Sequence, residues 1–391
     1  MKRTIKSIVK LMSFGIIGLA LLSCSKNETA LVQEKAIGFN SYIGRTVTKA
    51  DEDYFMGKGT TELLSGAKFV VYAYNNGLAG WSTQGGGPLF MGPVTVTYAG
   101  NGKTDPTKYT YEPLRYWPNE EASNKLSFFA YYPEAAFATS TTGDDPTTGD
   151  DPTPEETNTV PENGWGDYTF IAKTEPSEMI DLCISEVAKD QVYSTNNGIV
   201  NLKFYHTLTM VKFRIMTDEA VDPQNPVDYT GTTITLKSIS LAGVNAKGIL
   251  TPGVNKAASG WTLPTTNPYT PDFNVFPTGT LAVNKVGAWL PSKTSLKNGD
   301  NDVPCPTADA FLMIPQTLSD NVVATIVYEV KTGDDEAVTN TAEVQLNKGT
   351  IKKWDMNQNI VYTFIVGLKP IRFTAEAVSW DNETYGSFNV N

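Results

Sequence analysis

Histidine is almost absent from this sequence. His206 is the only one among 391 residues, and cysteine occurs three times. Zinc centres draw repeatedly on these two residue types, so most zinc spacings are excluded, and any serine–histidine–aspartate relay would hang on one imidazole. Positive charge is scarce too: 31 Lys and Arg stand against 42 Asp and Glu, a formal net charge of −11. A surface built to neutralise phosphates is not expected, which excludes nucleic acid as a partner and electrostatic attraction to anionic membranes. The apolar run from Leu11 to Leu22 is too short to span a bilayer. No stretch carries sustained helical spacing with caps. What remains is an acidic globular chain, long enough for about two domains that each bury a core.

The first segment reads as a secretory leader. Lys2, Arg3, Lys6 and Lys10 precede the apolar run, which ends in Leu21-Leu22-Ser23-Cys24. A small residue before a cysteine, followed by the polar Ser25 to Glu28, resembles a bacterial lipobox, and Cys24 is the expected acylation site. Several acyl chains at about 0.8 kcal/mol per buried methylene would anchor the protein to a membrane without a transmembrane helix. Loss of residues 1–23 takes four positive charges with it and leaves −15. Residues 24–35 then form a lipid-anchored tether. Cys183 and Cys305 are too few for a disulfide framework; they read either as a bridge or as buried thiols.

Beyond the tether the period is two. Aromatic and β-branched runs closed by Gly or Pro occur at 68–74, 94–98, 125–132, 200–205, 208–216, 233–241, 311–314, 322–330, 342–346 and 360–367. The fold class expected is all-β, of sandwich type. Composition places a linker at 217–231, rich in Asp and Pro, between an N-terminal domain (36–216) and a C-terminal one (232–370). The hexapeptide Thr-Gly-Asp-Asp-Pro-Thr occurs in tandem at 142–153 inside an acidic segment, 139–160. It lacks the ligand spacing of a calcium loop and has too little apolar surface to offset ordering, so it reads as a solvated insertion.

Catalytic groupings are thin. His206 lies in a break between strand runs, where an imidazole is usually structural, and no nucleophile stands nearby in recognisable spacing. Glu120 and Glu121 read as turn residues, and the 7 Trp and 18 Tyr read mainly as core. No catalytic residue, metal site or cofactor is expected, and the chain reads as a non-enzyme.

The order of segments resembles the fimbrillin family. It is carried by Ile37-Gly38-Phe39 with Arg45 soon after, Phe69 to Tyr72, Tyr116-Trp117-Pro118, Phe128 to Pro133 and Asp181-Leu182. It continues through Val200-x-Leu202-x-Phe204-Tyr205-His206, Leu312-x-Ile314-Pro315-Gln316, Tyr362-x-Phe364 and Trp380. The resemblance implies two transthyretin-like, Greek-key β-sandwich domains and a pilin subunit of Gram-negative anaerobes, exported as an outer-membrane lipoprotein. It also implies cleavage by an arginine-specific protease after the first strand and replacement of that strand by one from a neighbouring subunit, in fimbriae of one or several subunit types that adhere to host or bacterial surfaces.

The residues supply parts for such a pathway. Ile37, Phe39 and Ile43 alternate toward one face of an expected strand, interrupted by Ser41, and Arg45 follows directly; the resemblance, not the composition, makes Arg45 the processing site. After Pro370, residues Ile371, Phe373, Ala375 and Ala377 share one face, and Ile-x-Phe repeats the start of the first strand. Residues 371–391 thus read either as a donor strand for a neighbour or as the strand that closes its own domain. The alternative function is a surface lipoprotein that binds glycans without polymerising.

Overall fold

The structure, a computed structural model, describes residues 35–43, 66–82, 86–100, 108–119, 123–137, 158–175, 178–195, 197–218, 228–276, 279–285, 288–290, 295–298, 301–304, 310–367 and 371–379. The leader, Cys24, Arg45, Glu120 and Glu121, the hexapeptide repeat and Cys305 lie outside them. The acidic segment ends sooner than composition suggests: Thr159 bridges Thr169, and the Asn158 side chain bonds Ala136 O and Ile171 N.

The architecture is all-β, with no α-helix among the described residues. The N-terminal strands are β1 (Gly38–Ile43), β2 (Lys68–Gly77), β3 (Leu89–Tyr98), β4 (Tyr109–Thr110), β5 (Lys125–Tyr132), β6 (Tyr168–Ile171), β7 (Cys183–Ser185), β8 (Ala188–Gln191) and β9 (Ile199–His206). All but β6 join one sheet in the order β1-β9-β7-β5-β2-β3-β4, with β8 beside β5. Its central strands are apolar on both faces, as in Phe69 to Tyr74 and Leu126 to Tyr132, because both faces are covered. One face encloses Phe69, Phe128, Tyr98 and Phe204 in a core drawn from the sheet itself and the segment after β4. The two ends of the sheet meet across this core: Ser41 of β1 bonds the Tyr109 hydroxyl of β4.

The remaining strands are β10 (Thr209–Thr217), β11 (Thr232–Ala242), β12 (Lys247–Thr251), β13 (Gly260–Thr262), β14 (Phe273–Phe276), β15 (Leu281–Val283), β16 (Ala288–Leu290), β17 (Ser295–Asn298), β18 (Asn301–Pro304), β19 (Phe311–Met313), β20 (Val323–Thr332), β21 (Val338–Gln345), β22 (Gln358–Val366) and β23 (Arg372–Ser379). Two five-stranded sheets, β16-β10-β22-β23 with β19 and β14-β11-β20-β21 with β15, contribute Phe213, Ile215, Phe364, Ile239 and Ile326 to one core. Phe273 of β14 meets Phe311 of β19 edge to face, with ring centroids 6.2 Å apart, joining the two sheets.

Strand pairing departs from the division read in composition. The chain leaves the first sheet at His206, and β10 pairs with β22, β19 and β16 of the second half. The segment 217–231 therefore connects two strands of the C-terminal half rather than two domains. β6 in turn pairs with β12, in the sheet β13-β12-β6, so a strand from each half shares one ladder. The second face of the N-terminal sheet, with Tyr72, Phe129, Tyr131 and Tyr205, belongs to the same continuous core as the C-terminal sheets. The aromatic residues thus mostly pack inside, as their alternation with aliphatics suggests.

Candidate functional site

The candidate site is the seat of β1. Its alternation sends Ile37, Phe39 and Ser41 inward, and all three are buried. On one edge β1 lies parallel to β9, from Gly38 opposite Ile199 to Ile43 opposite Phe204. On the other edge, residues 35–37 run against the segment after β4. Ile37 N donates to Arg115 O (2.8 Å), Trp117 N donates to Lys35 O (2.9 Å), and the Tyr111 hydroxyl donates to Ile37 O (2.8 Å). Burial holds the Tyr111 phenol above its ordinary range, so the donor persists further into alkaline solution. The segment is therefore held by its ladder to β9 on one edge and by the bonds at residues 35–37 on the other, as a filled slot.

The floor of the slot is aromatic. Phe39 meets Tyr111 and Phe128 edge to face, at centroid distances of 5.4 and 6.1 Å, and Trp117 adds its Nε1–H to Gly198 O at 3.0 Å beside the start of β9. Burying Ile37 and Phe39 contributes about 1.5–3 kcal/mol each. Ser41 is fully buried in line with them. Its hydroxyl lies 2.9 Å from the Tyr109 hydroxyl, and its backbone N–H donates to the same oxygen at 3.2 Å. What reads as a break in the apolar pattern is a polar position with a dedicated partner, supplied from 68 residues away. Ile43 ends β1, and its side chain and Arg45 lie outside the described residues.

The C-terminal segment sits elsewhere. β23 pairs antiparallel with β22, from Arg372 opposite Ile365 to Ser379 opposite Gln358, at one end of its sheet. Ile371, Phe373 and Ala375 are half-buried against the core, as the shared face suggests, whereas Ala377 is exposed. The Phe373 ring lies over Gly349, where an added Cβ would come within 2.6 Å of it. At the entry to β23, Asp218 accepts the Tyr229 hydroxyl and faces Arg372 Nη2 at 3.8 Å. Within one chain, then, the strand that could be donated closes its own sheet.

His206 is the last residue of β9 and not part of a break. Its Nδ1 lies 2.9 Å from Asp181 Oδ1 and 3.4 Å from Cys183 Sγ, with all three residues buried. A nucleophile relay needs acid and thiol on opposite ring nitrogens, whereas here both approach Nδ1, and none of the three is open to substrate. The Asp181–Cys183–His206 proximity was hidden in the sequence because it depends on the register of β7 against β9.

Comparison with known proteins places this geometry. A curated relative, "Fimbrium subunit Fim1C" of Phocaeicola vulgatus, is 25% identical, with 99% of each chain covered. Among solved structures, a fimbrial protein from Bacteroides vulgatus superposes with a TM-score of 0.57 at 19% identity, covering 88% of this chain and 99% of that one. A cell adhesion protein from Bacteroides uniformis gives a TM-score of 0.48 at 12% identity, covering 88% and 98%. The family model described as fimbrillin-like matches residues 57–380, most of the chain. With that match over most of its length, this all-β chain belongs to the fimbrillin-like family.

Proposed function

We propose that the chain is a structural fimbrial subunit at the cell surface, exported as a lipoprotein through Cys24 and polymerised by replacement of β1 with a strand from a neighbouring subunit. The observation that carries this reading is the seat of β1: a slot with a ladder to β9 on one edge and bonds at residues 35–37 on the other, with inward pockets at Ile37, Phe39 and Ser41. Such a slot accepts an extended segment by main-chain hydrogen bonds, with specificity from alternate side chains. Left empty, it would expose an adhesive strand edge and an aromatic floor, so the precursor keeps it filled.

Arg45 follows two residues after the end of β1, where an arginine-specific protease severs β1 from the rest of the chain. Before cleavage an invading strand competes with a segment held at high effective concentration; after cleavage the released strand dissociates and is replaced. Residues 371–377 supply the donor. In register with β1, Ile371 takes the Ile37 pocket, Phe373 that of Phe39 and Ala375 that of Ser41, with Ala377 at the Ile43 position. Leaving home costs the donor one ladder and half-burial, whereas the slot offers the ladder to β9, the bonds at the positions of residues 35–37 and full burial. The partners are further pilin subunits, the protease, the outer membrane through the lipid, and the surfaces to which the fimbria adheres. The glycan-binding alternative finds less support: the exposed aromatics among the described residues, Tyr116 and Tyr269, lie in different halves of the chain.

The test uses purified protein treated with an arginine-specific protease and run on gels without boiling. Wild type is expected to form a ladder of multimers, Arg45→Ala to remain monomeric, and Phe373→Asp to be cleaved without forming a ladder, because it carries a charge into an apolar pocket. A ladder from Arg45→Ala removes the processing site; one from Phe373→Asp removes the donor.

A further inference from the structure

The polar groups that strand exchange leaves unused converge at one point in the N-terminal half. Asp181 and Cys183, two residues apart, leave the chain on one face, and Cys183 is the register partner of His206 across β7 and β9. We propose that Asp181, Cys183 and His206 form a structural zinc site.

The geometry fits the ion. His206 Nδ1, Asp181 Oδ1 and Cys183 Sγ are separated by 2.9, 3.4 and 3.7 Å for the N–O, N–S and O–S pairs. A tetrahedral zinc with bonds of about 2.0–2.3 Å spaces such donors about 3.3–3.6 Å apart. Opening the N–O pair by a few tenths of an ångström therefore admits the metal; the N–S distance already matches, and the O–S distance needs only a slight closing. Acid and thiol both approach the same ring nitrogen, which defeats a proton relay but is what a common central ion requires. Thiolate, imidazole and carboxylate together form a borderline-soft donor set suited to zinc. The two anionic ligands balance the double positive charge, so the closed site is neutral and burial does not oppose it.

A second observation points the same way. The Asp181 side chain is 8% exposed, and its Oδ2 has no hydrogen-bond partner. An aspartate–histidine pair alone uses Oδ1 and leaves this buried oxygen unsatisfied, a costly arrangement. Coordination through both Asp181 oxygens gives Oδ2 a partner and completes a distorted four-donor set in which the carboxylate occupies one corner of the tetrahedron. The backbone around the ligands is fixed independently: Leu182 O accepts from Thr207 N (3.0 Å) and Thr207 Oγ1 (2.7 Å), and Trp261 Nε1 donates to Thr207 O (2.7 Å). Such outer contacts hold ligands in place before metal arrives. The ion would tie β7 to the end of β9, stiffening the strand that forms one wall of the β1 slot.

Because the site is buried, it loads during folding. The test takes the whole chain carrying Cys24→Ala, unfolds it, and refolds it with zinc or cobalt(II). One zinc per chain is expected after gel filtration. The cobalt form should show thiolate-to-metal charge-transfer absorption that Cys183→Ser abolishes and Cys305→Ser preserves, and a chelator should lower the melting temperature by several degrees. Asp181→Asn, which keeps the size of the side chain, should weaken retention at least tenfold. Substoichiometric zinc in the refolded parent chain overturns the proposal whatever the variants do, and so does a cobalt spectrum unchanged by Cys183→Ser.

Discussion

The first and last described strands make opposite bargains with the same protein. β1, at one end of its sheet, is parallel to its single ladder partner, is bonded on its other edge by the Tyr109 hydroxyl and just before its start at residues 35–37, and turns fully buried side chains onto an aromatic floor. β23, likewise at one end of its sheet, is antiparallel to its neighbour, and its inward residues are only half-buried. Both are entered through Ile-x-Phe, with Ile37 and Ile371 directly before the strands. The same local pattern therefore serves a strand that is part of a core and a strand that lies against one. The difference is one of burial: on leaving, β1 would give up an enclosed aromatic seat, whereas β23 would give up a half-buried one.

The largest effect expected from this contrast is in packing. Phe39→Ala removes a ring enclosed by Tyr111, Phe128 and the β9 side chains and should destabilise the protein by about 3–5 kcal/mol. Phe373→Ala removes a half-buried ring and should cost about 1–2 kcal/mol. Urea denaturation of both variants measures the gap. Equal losses would mean that β23 is as much a core strand as β1, and the contrast would be gone.

Alkaline pH sharpens it next. Burial raises the phenol of Tyr111, which donates to β1, and pushes that of Tyr362, beneath Phe373 of β23, up to about 12. The folded state keeps protons that the unfolded chain gives up near pH 10, so this stability is complete below pH 10 and declines as pH rises toward the folded values. For Tyr362 the shift corresponds to about 2–3 kcal/mol. The urea midpoint should fall between pH 9 and pH 12, and Tyr362→Phe should reduce that fall. A midpoint independent of pH over this range would show that the phenols are not held by burial.

Side-chain hydrogen bonds give a smaller difference. Tyr109→Phe removes the partner of the buried Ser41 hydroxyl and N–H and should cost about 1–3 kcal/mol. On β23, Thr350 Oγ1 donates to Ala375 O at 2.9 Å in an exposed position, where water replaces it, and Thr350→Val should cost less than about 0.5 kcal/mol. Melting temperatures of the two variants decide the point; a larger loss from Thr350→Val would reverse the expected ranking of the strands.

Local pattern revealed much of this. The runs at 68–74, 125–132, 200–205, 233–241 and 360–367 became β2, β5, β9, β11 and β22, because alternating β-branched and aromatic residues suit a pleated surface under a core. The inward face of β1 was legible for the same reason. Pairing over long distance was not. Ser41 looked like an interruption because Tyr109 arrives from another strand. The change of sheet at His206 was invisible, since β9 and β10 are alike in composition and are separated by a two-residue corner, while the Asp- and Pro-rich stretch at 217–231 carried the stronger local signal. β6 gives no sign in its own residues that it will join β12. The meeting of Asp181 and Cys183 with His206 likewise required the register of two strands, which no spacing rule in one strand contains.

The smallest effect concerns the entry to β23, where charge rather than burial is at stake. Asp218 is almost wholly buried and already accepts the Tyr229 hydroxyl; Arg372, half exposed, faces its other oxygen at 3.8 Å. The close approach at Gly367, where an added Cβ would fall 2.5 Å from the Tyr229 hydroxyl and 2.7 Å from Asp218, keeps that carboxylate in place independently of the arginine. Arg372 therefore contributes what a partly screened ion pair contributes, about 0.2–1 kcal/mol. Arg372→Gln should lower stability by no more than this, and the loss should shrink further in about 1 M salt, where the screening length is about 3 Å. Amide exchange separates the two strands more finely. The variant should speed exchange along 372–379 and leave 38–43 unchanged, because β1 shares no ladder with β23. A loss of several kcal/mol, or faster exchange in β1, would mean that the two strands are held by one cooperative unit and cannot depart separately.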